Sequence, residues 1–164
     1  MNTLVIDTSD KVARFGLFQN KLVDKIEWVA HRELSKTFYL KLEELLDRNK
    51  LSYQDLDSII IVRGPGSFTG LRISIVIVNA FSYALEIETA GVIQKEKMLP
   101  PPVIPAEEGI QSLANKPQQE SRCTQRESLT LEEIYIAGKN DLKKGQIIEP
   151  FYGREPNITT KKNL

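Results

Sequence analysis

The chain has 164 residues, with 22 Lys plus Arg against 22 Asp plus Glu, one Cys and one His. That length suits one ordinary domain, or one domain plus a tail, because single cores usually run to ~100–150 residues. One Cys excludes an intramolecular disulfide framework, one His excludes the two-histidine zinc motifs, and zero net charge argues against broad nonspecific nucleic-acid binding.

Thr3–Asp7 opens the chain as a short apolar run, the pattern of a central strand. Val12–Phe18 and Leu22–Val29 follow as two more strands. Between them Gln19-Asn20-Lys21 suits a hairpin turn, since Asn tolerates positive φ. Leu34–Lys50 carries Leu34, Phe38, Leu42, Leu45 and Leu46 at helical spacing. Ser58–Val62 is a β-branched strand. After a glycine-rich loop, Leu71–Leu85 reads as a helix buried on most sides, and Glu88–Ile93 as a short strand. The longest apolar stretch, Ile73–Phe81, is expected to be too short to span a bilayer.

The composition then changes. Nine of the twelve aromatics precede residue 93, and five of the eight prolines (Pro100, Pro101, Pro102, Pro105, Pro117) fall within 84–134. Residues 94–128 therefore read as a proline-rich linker or disordered insert. Thr130 with Glu133 fits a capping box for a helix carrying Leu131, Ile134 and Tyr135, with Gly145 as its stop. The tail from Lys139 to Leu164 has six basic and three acidic residues. The expected organisation is a packed lobe over 1–93, a linker over 94–128, and a helix with a tail over 129–164. No basic start with a long apolar run occurs in residues 1–30, so the cytoplasm is the expected compartment.

The sharpest motif is Gly64-Pro65-Gly66-Ser67-Phe68-Thr69-Gly70-Leu71-Arg72, after a strand and before a helix. Amides at a helix start can hold an anion. The loop nevertheless fails the Walker A and dinucleotide patterns, because Thr69 stands where each needs glycine. Two readings stay open: a phosphate loop using Gly64, Gly66 and Gly70, or a tight turn whose glycines let a helix pack closely. Asp7-Thr8-Ser9 ends the first strand and could hold a magnesium–phosphate group, or simply close a turn. His31 and Cys123 have no placed partners for nucleophilic catalysis, so no catalytic residue is assigned. No metal site and no cofactor are expected either.

Thr3–Ser9 together with Arg63–Ile73 resembles the TsaB (YeaZ) family, bacterial subunits of the machinery that makes N6-threonylcarbamoyladenosine in tRNA. Glu149–Pro156 resembles the family's C-terminal end more loosely. The resemblance implies an α/β actin/Hsp70-like (ASKHA) fold, a mixed sheet with packed helices and a reduced second lobe. It implies a non-catalytic subunit that dimerises with a TsaD-type catalytic subunit through its first two helices, where Phe38, Leu42, Leu45, Leu71, Ile75 and Val78 are the candidate interface residues. A TsaE-type ATPase, a homodimer and indirect tRNA contact are further implied, with no membrane association. The alternatives are a free-standing nucleotide-binding or phosphotransfer enzyme of the same fold, or an inactive truncated homologue that only self-associates.

Overall fold

The computed structural model describes residues 1–30, 33–94 and 128–152. His31, Cys123 and the expected proline-rich segment, apart from Gln94 and Ser128, lie outside the described residues, as does Gly153–Pro156 of the C-terminal motif.

One six-stranded sheet organises the chain, formed by β1 (Thr3–Asp7), β2 (Val12–Gln19), β3 (Lys21–Val29), β4 (Ser58–Gly64), β5 (Glu88–Ile93) and β6 (Lys143–Lys144) in the order β3-β2-β1-β4-β5-β6. β1 pairs antiparallel with β2 and parallel with β4, β4 pairs parallel with β5, and the short β6 closes antiparallel on β5. The sheet is therefore mixed, as a meander followed by helix–strand–helix requires. Asn20 makes the expected β2–β3 turn at φ 67°.

Among the described residues three α-helices cover the sheet: α1 (Leu34–Arg48), α2 (Phe68–Leu85) and α3 (Leu131–Gly138). Alternation along the central strands separates two cores. Leu4, Ile6, Ile59 and Ile61 pack with α1 and α2, while Val5, Ile60 and Val62 pack with Leu131 and Ile134 of α3. Burial on both faces is why these strands read as unbroken apolar runs. Phe15 anchors the first core, edge-on to Trp28 at 4.8 Å and to Phe38 at 4.9 Å. Phe18 anchors the second, stacked on Tyr135 at 4.4 Å. The end of α1 is tied to β3 through Asp24, which accepts Arg48 Nε at 3.1 Å, Arg48 Nη2 at 2.6 Å and Asn49 Nδ2 at 2.9 Å.

Four details differ from the sequence-based expectations. α2 begins at Phe68, three residues early, because the Ser67 hydroxyl caps it by accepting from Gly70 N. α3 keeps its Thr130/Glu133 capping box but stops at Gly138. A Cβ on Gly138 would collide with Ile60, so this glycine serves close helix–sheet packing; Gly145, at φ +70°, makes the turn after β6 instead. A 3-10 turn at Tyr53–Asp55 precedes β4. Finally, α2 is long and apolar enough to cross a membrane by length and composition, contrary to the shorter stretch expected. Its Leu71, Ile75 and Val78 nevertheless lie in the chain's own core.

Candidate functional site

The glycine loop and the end of β1 meet at the carboxyl ends of the parallel strands. Asp7 is buried and its carboxylate is saturated. Oδ1 accepts the Ser9 amide at 2.9 Å and the Ser9 hydroxyl at 2.6 Å. Oδ2 accepts Gln94 Nε2 at 3.3 Å and forms an ion pair with Arg14. Arg14 stands directly opposite Asp7 in the β1–β2 register. A buried carboxylate needs a cation beside it. The hairpin supplies one, and with Gln94 from the end of β5 it leaves the carboxylate no free lone pair aimed outward.

Thr8 and Ser9 are held just as firmly. The Thr8 hydroxyl lies 2.6 Å from the Ser74 hydroxyl and 3.2 Å from the Gly70 carbonyl. The Ser9 carbonyl accepts the Ser67 amide at 2.7 Å. The glycines make this contact possible. A Cβ on Gly66 would sit 2.5 Å from the Ser9 carbonyl oxygen and 2.6 Å from Ser9 Cβ, and one on Gly70 would collide with the Thr8 carbonyl. Gly64 follows the same logic at φ +139°, where a Cβ would strike the Phe151 backbone. The six residues Asp7, Thr8, Ser9, Gly64, Gly66 and Gly70 are thus brought together, but the β1–β2 turn fills the hollow of the loop. The Ser67 amide that could greet a phosphate is bonded to Ser9, and the Gly70 amide to the Ser67 side chain. This geometry matches the close-packing reading of the motif.

The six candidate interface residues are placed differently from expectation. Phe38, Leu42, Leu45, Leu71 and Val78 are fully buried and Ile75 is 3% exposed, all within the chain's own core. They face the sheet, and a side chain already enclosed there has no surface to offer another molecule. The apolar surface that α1 and α2 do present is Tyr39 and Leu40 on α1 and Phe68, Val76 and Tyr83 on α2, the last two 66% and 90% exposed. Phe68, Arg72, Val76, Ala80 and Tyr83 lie at spacings of three and four residues and form one stripe along α2. At its N-terminal end Arg72 sits 4.1 Å over the Phe68 ring, and its Nε donates to the Tyr152 hydroxyl at 2.9 Å.

The chain is similar to proteins of known family. The family model described as "TsaD: tRNA N6-adenosine threonylcarbamoyltransferase" matches residues 28–108. The tRNA threonylcarbamoyladenosine biosynthesis protein TsaB of Buchnera aphidicola is 29% identical over 54% of this chain and 42% of its own length. Its Escherichia coli namesake is 29% identical over 56% of this chain and 40% of its own. YeaZ from Pseudomonas aeruginosa superposes with a TM-score of 0.53 at 28% identity, over 57% of this chain and 44% of that one. These likenesses support a TsaB/YeaZ family assignment. The sheet with its packed helices is accordingly of the actin/Hsp70-like type. The chain matches about two fifths of the length of these TsaB relatives. The relatives are named for threonylcarbamoyladenosine biosynthesis, while the matching family model carries the name of the transferase, so one lobe architecture underlies both names. Among the described residues no three His, Cys, Asp or Glu side chains converge as a metal-binding set. The residues that sequence reasoning missed are Arg14, Gln94, Asn79 and Tyr152. Of these, Arg14 could have been found by pairing the hairpin strands outward from their turn.

Proposed function

We propose that this chain is a TsaB-type accessory subunit in the threonylcarbamoyladenosine modification of tRNA. It contributes no catalytic residue and docks on a TsaD-type catalytic subunit in the cytoplasm. A TsaE-type ATPase and the tRNA are reached through that partner, and a homodimer is the competing use of the same face. The observation that carries the reading is the exposed apolar stripe Phe68–Val76–Tyr83 on a helix whose opposite face is already satisfied by the core. A lone helix of a soluble lobe normally turns polar residues outward, and an apolar stripe rimmed by polar residues fits a protein interface. The filled glycine loop supports the non-catalytic role over nucleotide binding or phosphotransfer, since its Ser67 and Gly70 amides are taken.

The test is co-purification of the full chain with the TsaD-type subunit of its own source. A stable complex is expected, lost in the double substitution Val76→Asp with Tyr83→Asp while the circular dichroism spectrum is kept. Failure of the unsubstituted chain to co-purify, or indifference to the double substitution, overturns the reading.

A further inference from the structure

Residues 146–152 lie outside every helix and strand, yet they are gripped along their backbone. The Thr89 hydroxyl donates to the Gln146 carbonyl at 3.2 Å. Asn79, half-buried on α2, makes a two-point clamp: its Nδ2 donates to the Ile148 carbonyl at 3.0 Å, and its Oδ1 accepts the Ile148 amide at 2.9 Å. The Arg63 carbonyl accepts the Phe151 amide at 2.7 Å, and the Arg63 guanidinium reaches the Glu149 carbonyl at 3.4 Å. Ile148 is buried in the α1–α2 core, in a slot that Gly91 keeps open, since a Cβ there would stand 3.2 Å from Ile148 Cγ2. Tyr152 ends the contact against Phe68, with ring centroids 4.9 Å apart.

This is the chemistry of extended-peptide recognition. Main-chain hydrogen bonds supply the grip, and one or two side-chain pockets supply the selection. Asn79, Thr89 and Arg63 serve no other described purpose at these atoms. We propose that the groove between α2 and β5 is a peptide-binding site whose resident ligand is the chain's own Gln146–Tyr152 segment. A second copy of this chain can supply the same segment, giving an exchanged dimer. A second copy is the fitting occupant because its segment reproduces every contact just described, the Ile148 slot included. The tethered segment holds an effective concentration in the millimolar range, so it fills its own groove at ordinary protein concentrations and exchange requires that hold to be weakened.

Two full-length variants with different tags test this. Ile148→Glu keeps the groove and spoils its own ligand, whereas Asn79→Ala keeps the ligand and spoils the clamp. Mixed at micromolar concentration, they are expected to co-purify as a complex, because the first variant's groove takes the second's segment. The unsubstituted chain is expected to exchange at least about tenfold less. A free peptide of residues 143–152 is expected to raise the melting temperature of Ile148→Glu and to leave the unsubstituted chain unmoved. Absence of co-purification between the variants together with absence of a peptide-induced shift overturns the proposal. If Ile148→Glu is too unstable to purify, Ile148→Ala takes its place in the peptide assay, a rise in its melting temperature supporting the site and no rise overturning it.

Discussion

Replacing Gly66 by alanine separates a packing glycine from a phosphate-binding one. If the loop existed to cradle an anion, Gly66→Ala would cost binding and little stability. A compatible Gly→Ala change in a loop even stabilises, by about 0.4–1 kcal/mol, through the unfolded state. Here the new methyl would stand 2.5 Å from the Ser9 carbonyl oxygen, 2.6 Å from Ser9 Cβ and 2.8 Å from Ser9 Cα. Two of these three atoms are backbone, pinned on the Ser67 amide at 2.7 Å and through the neighbouring Asp7 contacts, so they cannot swing aside. Overpacking of this kind costs about 1–3 kcal/mol, which leaves a net loss of roughly 1–2 kcal/mol after the unfolded-state gain. For a chain of this size that lowers the melting temperature by about 2–8 °C. Thermal unfolding followed by circular dichroism measures it, with Gly145→Ala as the control. At φ +70° with nothing within 4 Å, an alanine at 145 meets backbone strain and no collision. A Gly66→Ala chain melting at or above the unsubstituted temperature would refute the packing argument and return the loop to the anion-binding reading.

Arg14→Met leaves the buried Asp7 carboxylate without its cation, and such an orphaned charge costs about 3–5 kcal/mol; urea titration reads the loss, and an unchanged midpoint would mean that Ser9 and Gln94 suffice. Leu42→Ala, at a fully buried position of α1, is expected to cost about 2–5 kcal/mol. Val76→Ser, on the exposed stripe of α2, should change stability by less than about 0.5 kcal/mol while weakening partner binding. Asp24 gives a pH signature: burial opposes its charged form, but hydrogen bonds from Arg48 and Asn49 outweigh that and hold its carboxyl below the ordinary value. Its contribution is therefore complete above the unfolded-state carboxylate pKa and fades as pH falls through the lower folded value; Asp24→Asn should flatten that acid limb. Tyr53 works at the other end. Burial and the neighbouring Glu43 push its phenol up to about 12, so its share of stability persists below the ordinary tyrosine range and is lost as pH rises through about 12. Ultraviolet titration of the tyrosinates checks the midpoint.

The strands were legible because Val5, Ile60 and Val62 on one face and Leu4, Ile6, Ile59 and Ile61 on the other are all enclosed, leaving no polar alternation to blur them. The glycine motif was legible as a place and not as a purpose. Only the pairing of β1 with β2 shows that Thr8 and Ser9 occupy its hollow and that Arg14 neutralises Asp7. α2 resisted for a different reason. Its apolar residues lie on both sides, Leu71, Ile75 and Val78 inward and Phe68, Val76 and Tyr83 outward, so hydropathy alone cannot say which side meets the sheet. Its polar residues settle the matter, in the opposite sense to the usual rule. Ser74 turns inward to Thr8, Ser82 inward to the Ile87 carbonyl, and Asn79 to the backbone of Ile148. Each spends its hydrogen bonds on the chain itself, which leaves Thr69 and Arg72, both near the start of α2, as the exposed Thr and Arg beside the outward Val76 and Tyr83. A helix that turns Ser74, Ser82 and Asn79 into its own lobe and Val76 and Tyr83 toward water has the apolar outer face on which the proposed docking rests.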